Sequence, residues 1–475
     1  MARDIDQAII DTAKYLRHIR PIDPEEILEY VPNASQARIT RVMQDSAAEL
    51  ELIEAADGTF HPPPDEPIQE IPSGLLALPR DLEDTINAIL IEELGEKWWS
   101  GDSGKHLRSA IRSFKKDYFA QQTVTYDRIT AIGYLLYHFP ATFASISSLF
   151  QYITCSAPIP HAIRILDIGA GVGGQALAID RLLPDTALIH YDAIERSEHA
   201  AGILQELLAH TGRNFHWTIS SEDITASHIS RSYDIILLSN VLNELDNPIS
   251  VLDSGIEQLH DSGMVIAVEP ADENTSRSLR SIETAIVTSR TDTQVFGPTL
   301  RLWEGNQPTD DCWSFTRDAD IPRPSFQTKL DQAANNDGEF CNVDVQYSFS
   351  ILRQDGLRYL STRPGRDEYL PLKYSSRATT KRVNICVVKL SHSLREDPNE
   401  HDLYVIGDGS QDCEHFAVHT SKTHANQHLE TAAYGDIICI QNGLLLWNKD
   451  NQAYNVVIDA QATVDWIGPH GVTIA

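Results

Sequence analysis

Between residues 160 and 290, short apolar runs alternate with longer segments in which apolar residues recur every three or four positions. A continuous apolar run of strand length reads as a strand buried on both faces, and the helical period reads as an amphipathic helix. The runs predict strands at 163–168, 187–194, 215–219, 234–238 and 264–268, with a helix over 175–183 after the first. Such alternation predicts an α/β, doubly wound, Rossmann-like sheet. Upstream, Ile5, Ile9, Leu16 and Ile19 recur at helical spacing. Pro24 opens a second helix over 25–30, and Ser35 is placed to cap a third over 36–49. Residues 50–53, a turn at Asp57-Gly58 and residues 59–61 then predict a β-hairpin. Three helices and a hairpin predict a winged-helix-like domain over 1–62.

The proline-rich HPPPDEP opens a linker over 63–79, residues 80–158 read as helical, and the α/β domain is expected over 159–360. From Arg382 onward the runs VNICVVKL, DLYVIGDGS, HFAVHT, DIICI, LLLWN and AYNVVID are separated by polar and glycine turns. Six short strands predict a small β-barrel, of the oligonucleotide-binding type, over 361–475.

The first strand runs into ILDIGAGVGG, residues 165–174. Glycines let a ligand approach the backbone where a strand turns into a helix N-terminus. Dinucleotide sites seat a pyrophosphate there. Asp167 comes just before the turn, where it would repel phosphate but accept a bond from a cationic amino-acid group. That favours S-adenosylmethionine (SAM), with Gly169, Ala170, Gly171 and Gly173 shaping the turn. Glu195, 26 residues after Gly169, ends the second strand and is placed for the ribose hydroxyls, with Asp192 as its competitor. Asp223 after the third strand and Asn240 after the fourth are placed for adenine or the outer face of the cofactor.

No catalytic group is evident. Methylation of a base amine calls for Asn/Asp-Pro-Pro-aromatic after the fourth strand, where this chain has SNVL. Methylation at a pyrimidine carbon calls for a cysteine nucleophile, and none lies in the loops after the fourth and fifth strands. Glu269-Pro270 reads as a loop cap more readily than as a base.

A formal net charge of −30, with 11 lysines against 27 arginines, fits adaptation to high salt, so global acidity says little about partners. Local clusters say more. Lys105, Arg108, Arg112, Lys115 and Lys116 form a basic helical run suited to RNA phosphates. The third N-terminal helix carries only Arg38 and Arg41, which favours a packing role over nucleic-acid docking. Six cysteines without a CxxC pair are expected as buried small hydrophobes rather than disulfides or ligands. No signal segment or membrane-length apolar run is evident, so a cytoplasmic monomer without a membrane role is expected.

Tyr134-Leu-Leu-Tyr-His-Phe-Pro-Ala-Thr-Phe143 resembles the YLxxRxPATY segment of the mitochondrial small-ribosomal-subunit methyltransferase-like assembly factors and their bacterial and archaeal relatives. DIGAGVGG, SNVLNEL and Val268-Glu269-Pro270 are similar to that family's blocks in order and spacing, as are WSF at 313–315, Val345-Gln-Tyr-Ser-Phe-Ser350 and Ala433-Tyr-Gly-Asp436. The likeness spans roughly residues 100–445. It implies a SAM-dependent methyltransferase fold and a role with small-subunit ribosomal RNA, as an rRNA methyltransferase in ribosome assembly or translation. The alternatives are a non-catalytic assembly factor and a winged-helix transcription regulator. Many members of the family carry a four-cysteine iron–sulfur cluster. Here the first ligand block reads Phe296-Gly297-Pro298-Thr299, the second falls near residues 306–308, and the third is Trp313-Ser314. Cys312 and Cys386 as remnants cannot supply four ligands, so no cluster is expected. Ala271 replaces the family's glycine after Glu-Pro.

Overall fold

The computed structural model describes residues 2–119, 127–221, 232–298, 300–303, 312–334, 338–359, 364–365, 367–467 and 473–474. The chain divides into two compact units, one of residues 1–154, 158–237 and 321–343, the other of 155–157, 238–320 and 344–475.

The first unit begins with helices α1 (Ala2–Leu16), α2 (Pro24–Tyr30) and α3 (Gln36–Ser46) and a hairpin of β1 (Ile53–Glu54) and β2 (Phe60–His61). The expected Ser35 cap forms, accepting the Arg38 N–H, and Asp23, which the sequence reading did not name, caps α2 by accepting the Glu25 N–H. Ile9, Ala13, Ile27, Ile39, Met43 and Phe60 close a core of their own. Phe60 also bridges to Ile22, tying the hairpin to the three helices. Helices α4 (Arg80–Leu94), α5 (Gly101–Phe119), α6 (Arg128–Tyr137) and α7 (Phe139–Thr154) follow.

Then come β3 (Ala162–Ile168), α8 (Gly174–Leu182), β4 (Leu188–Ile194), α9 (Glu198–Leu208), β5 (Phe215–Ser220) and β6 (Tyr233–Ser239). β3 pairs β4 in parallel, β4 pairs β5 in parallel, and β6 lies on the other side of β3. This is the methyltransferase-type, Rossmann-like α/β arrangement. The chain turns back on its strand order at β3, and ligands bind off the carboxyl ends of the strands at such a point. Helix α12 (Ser325–Gln332) returns to this unit.

The second unit contains α10 (Pro248–Ile256), β7 (Leu259–Pro270), α11 (Glu273–Ser289), β8 (Gln294–Gly297), β9 (Thr316–Asp318) and β10 (Val345–Arg353). β10 pairs antiparallel with β7, β8 and β9. After the short helix α13 (Ser375–Ala378) come β11 (Arg382–Lys389), β12 (Asp402–Gly407), β13 (His415–His419), α14 (His428–Thr431), β14 (Ile437–Asn448) and β15 (Ala453–Ile458). These strands close in the order β11-β12-β13-β15-β14-β11, with β13 and β15 parallel. The result is a five-stranded barrel, with β16 (Thr463–Ile467) and β17 (Thr473–Ile474) extending from β14.

The sequence predicts DIICI and LLLWN as separate strands, but they are one strand, β14. Asn442 takes a left-handed φ of 61°, and the β11–β14 register shifts beside it, so the residues read as a turn form a bulge. No single helix among the described residues is long and apolar enough to cross a membrane. α6 and α7 together pass on composition but meet at a 48° bend, and both carry many buried apolar residues.

A Cβ on Gly443 would stand 2.8 Å from Val456 Cγ1 and 3.1 Å from Ile440 Cγ2. Gly443→Ala is therefore expected to destabilise the barrel by about 1–3 kcal/mol, read as a lowered urea midpoint for that unit.

Candidate functional site

In the first unit the site is built where β3 gives way to α8. Gly169, Gly171 and Gly173 take φ of 73°, 54° and 88°, left-handed values that disfavour a side chain. The Gly169 and Ala170 N–H groups both donate to Ile194 O, at 2.8 and 3.1 Å, fastening the turn to the end of β4. Gly173 caps α8, and a Cβ there would meet Leu204 Cδ1 at 2.5 Å. One on Gly174 would meet Thr142 Cβ at 2.9 Å. Residues of the Pro-Ala-Thr segment therefore pack directly on the glycine turn. Around Gly171, by contrast, a Cβ would find nothing within 4 Å. This is the open side of the turn.

Beneath the turn, Asp167 is fully buried. The Tyr191 hydroxyl donates to its Oδ2, while Oδ1 has no hydrogen-bond partner. Burial pushes the carboxyl up to about 7, opposed by Tyr191 and the nearby Gln175 amide and helped by the Glu195 charge. Burial and the facing carboxyl push the Tyr191 phenol well above its ordinary range, so it stays a donor. Sequence reasoning missed Tyr191 and Gln175. The signal for Tyr191 is its register, since it pairs with Ile165 on the strand that carries Asp167.

Glu195 accepts the Gly171 N–H with Oε2 at 2.9 Å and the Ser197 N–H with Oε1 at 2.7 Å. Asp192 is held by Thr218 Oγ1 at 2.5 Å and the Tyr233 hydroxyl at 3.0 Å. The two candidates for the end of the second strand are thereby separated: Glu195 stands at the glycine turn, and Asp192 bonds to β5 and β6. Each Glu195 oxygen keeps acceptor capacity after its one backbone bond. Ala170 contributes less than expected. Its side chain is buried, its N–H is committed to Ile194, and its carbonyl accepts from Gln175 and Gly173. Asp223 lies outside the described residues.

Asn240 belongs to the second unit and is exposed. Its φ of 56° lies in the left-handed region, which asparagine adopts more readily than most residues other than glycine, and its N–H donates to Val268 O. Glu269 is buried. Its Oε1 accepts the Val241 and Leu242 N–H groups at 3.1 and 2.8 Å, and Oε2 has no partner. Burial raises it to about 8, opposed by those two backbone bonds. The loop-cap reading of Glu269 therefore describes its place.

The basic run on α5 divides. Arg108 is buried and donates to Trp99 O at 2.9 Å, in space left by Gly104. Arg112 makes a two-point pair with Glu339, at 2.5 and 2.8 Å. Lys115 donates to the Tyr137 hydroxyl and Glu339 O. Lys105 and Lys116 are exposed, Lys105 lying 3.4 Å from Asp102. Three of the five cations thus hold elements of the unit together.

Cys312, Cys386 and Cys439 are buried, but Cys155 is exposed and Cys341 and Cys413 are half-exposed, which corrects the expectation of six buried thiols. Among the described residues no three His, Cys, Asp or Glu side chains are grouped to hold a metal. Thr299 and residues 306–308 lie outside them.

Residues 128–298 match the family described as Mitochondrial small ribosomal subunit Rsm22. Residues 6–56 and 373–467 match the N- and C-terminal domains of a domain of unknown function, DUF8157. No curated protein matches the chain. Among solved structures, the plantazolicin methyltransferase BpumL with SAH is 17% identical, over 58% of this chain and 98% of that one, with a TM-score of 0.31. Mitomycin 7-O-methyltransferase MmcR is 13% identical, over 74% and 94%, with a TM-score of 0.29. The glycopeptide N-methyltransferase MtfA with SAH is 20% identical, over 27% and 49%, with a TM-score of 0.23.

Two measurements test this geometry. Gly171→Ala adds only left-handed strain, about 1–2 kcal/mol, whereas Gly173→Ala adds a collision with Leu204 and should cost about 2–4 kcal/mol. Equal losses in urea unfolding would mean that the Gly171 side is not open. Because the Asp167 carboxyl is raised from its ordinary value to about 7, the folded state holds its proton more tightly than the unfolded state. Its contribution is complete below about pH 4 and is lost as pH rises through 7, at up to about 1.4 kcal/mol per pH unit. Asp167→Asn should flatten stability against pH in that window, and an unchanged slope would contradict the assignment.

Proposed function

We propose that the chain binds SAM at the turn between β3 and α8 and acts with the small ribosomal subunit as a methyltransferase-type factor, modifying its RNA during assembly or translation. The observation that carries the cofactor reading is the Asp167 carboxyl, buried beneath the turn with one oxygen unpaired. It offers an acceptor to a cationic amino-acid group, and Glu195 offers acceptors to ribose hydroxyls. A dinucleotide pyrophosphate would meet two carboxyls instead. The open side of Gly171 leaves room for a ligand against the backbone. Asn240, exposed at the end of β6, and Asp223 are assigned to adenine or the outer face of the cofactor. Bound SAM would supply an electrophilic methyl group; the chain's residues hold and orient it.

The small-subunit partner rests on the family match over 128–298, which includes the Pro-Ala-Thr segment, the glycine turn, SNVLNEL and Glu269-Pro270. Lys105 and Lys116 are the members of the α5 run assigned to RNA phosphates, with Arg108, Arg112 and Lys115 supporting that helix from within. No iron–sulfur cluster is proposed, because the family's cysteine positions hold other residues. A cytoplasmic, salt-adapted monomer belongs to the same proposal.

One observation favours a second reading, the non-catalytic assembly factor: Glu269, of the Glu-Pro motif after the fifth strand, is committed to capping residues 241 and 242. The transcription-regulator reading weakens, since Arg38 pairs with Asp6 at 2.8 Å and Arg41 lies 3.9 Å from Asp45.

The test is calorimetric titration with SAM in buffers of different ionisation heat. Because Asp167 titrates at about 7, binding near neutral pH should release up to one proton, and Asp167→Asn should abolish the release and weaken binding. Absence of SAM binding overturns the cofactor reading. Small-subunit RNA from cells with and without the protein should differ by one methyl mark. Unchanged RNA with defective subunits would leave the assembly factor.

A further inference from the structure

A second basic segment, besides the run on α5, lies on the approach to the barrel. From Tyr369 to Arg395 the sequence has six cations (Lys373, Arg377, Lys381, Arg382, Lys389 and Arg395) and no acid, in a chain with 68 acidic residues. Three of the six are structural, Arg395 among them, 3.4 Å from Asp402. Lys389 is buried and donates to Glu430 O and Ala432 O, and Arg382 pairs with Asp459. Lys373, Arg377 and Lys381 are exposed and follow one another at four-residue intervals through the short helical turn of 372–378 and just beyond it. Lys373 Nζ and the Arg377 guanidinium lie 5.2 and 4.8 Å from the centre of the Tyr374 ring.

The turn is fastened to the barrel. Asp408 Oδ2 accepts the Leu372 N–H at 2.7 Å, and Ser410 Oγ accepts the Lys373 N–H at 3.1 Å. Ser375 Oγ and His415 Nε2 share a buried hydrogen bond of 2.7 Å. The Thr380 N–H donates to Leu445 O, and the Leu445 N–H to Lys381 O, so the segment runs along β14. Four anchors on one turn make a rigid display of charge rather than a mobile solvated loop.

Two further features adjoin it. A cavity of about 500 Å³ is lined by Tyr369, Lys373, Tyr374 and Asn384, with Asp367 and Glu368 also on its wall. Its size falls in the range of ordinary ligand sites, roughly 300–1,000 Å³. Trp447 stands on β14 two residues beyond Leu445 and is 38% exposed. It is braced by Tyr454, ring centres 4.7 Å apart, which in turn stacks on His415 at 5.0 Å. The buried partner of Ser375 thus also supports the exposed indole. Charge in a row, an exposed braced aromatic and a cavity of mixed polar and apolar lining are the parts from which single-strand sites are made.

We propose that this face of the barrel binds single-stranded RNA, with Lys373, Arg377 and Lys381 on successive phosphates, a base stacked on Trp447, and a neighbouring nucleotide in the cavity. Asp367 and Glu368 turn phosphate toward the cations and accept from a ribose 2′-hydroxyl or a base amine. The site belongs to the second unit and shares no residue with the SAM turn, and it rests on the ribosomal reading only for the natural RNA concerned.

The test is fluorescence anisotropy of the full chain with a labelled oligouridylate across a salt series. Arg377→Ala/Lys381→Ala should weaken binding about tenfold and lower the slope of log K against log salt by about 1.4, while SAM affinity is unchanged. Arg377→Lys/Lys381→Arg should restore the slope, and Trp447→Ala should weaken binding by about fivefold or more. No binding by the wild-type chain, an unchanged slope in the double alanine variant, or equal displacement by polyglutamate would each overturn the proposal. Loss confined to Lys105→Ala/Lys116→Ala would overturn it and leave the ribosomal reading intact. Binding of the oligonucleotide without association with subunits would do the reverse.

Discussion

The Glu195 carboxylate accepts the Gly171 N–H with one oxygen and the Ser197 N–H with the other. One side chain thereby joins the loop after β3 to the start of α9, and the shape of the turn depends on that joint. The glycines permit the left-handed backbone but do not select it; the bonds to Glu195 and Ile194 O do. With the turn fixed from the β4 side, Asp167 is sealed beneath it against Tyr191. A buried carboxyl with one unsatisfied oxygen is costly unless a ligand or a proton answers it. Folding leaves its proton held more tightly than in the unfolded chain, with the carboxyl raised to about 7 by burial.

The second unit shows the same physics at a backbone cap, where Oε2 of the Glu269 carboxyl is again left without a partner. Glu269 is also buried and raised, to about 8, but both of its hydrogen bonds go to the backbone that opens the Leu242–Glu244 turn. The sequence reading of Glu269 as a loop cap agrees with these backbone partners. The α5 cations read otherwise. Arg112 and Lys115 share a charged helical run in sequence, yet Glu339 claims both from 224 or more positions away.

Strands such as β3 and β6 were legible because they are nearly continuous apolar runs, and the start of α3 was legible because Ser35 carries its local capping rule in sequence. Registers were not. Whether Asp192 or Glu195 met the glycine turn depended on which residue faced β5, and only the pairing of Asp192 with Thr218 settles that. The split of β14 into two expected strands failed because Asn442 and Gly443 read equally as a turn or a bulge. The basic approach to the barrel went unread because its cations are interleaved with strand-forming residues. Its consequence emerges only when Ser375, His415, Tyr454 and Trp447 are seen as one braced series.

Direct competition between cofactors at the turn tests the central claim most plainly. Equilibrium dialysis of labelled SAM against the purified chain, with SAH or a nicotinamide dinucleotide as competitor, should show saturable SAM binding displaced by SAH and untouched by the dinucleotide. Displacement by the dinucleotide, or retention of SAM by a Glu195→Ala variant as tightly as by wild type, would contradict the account.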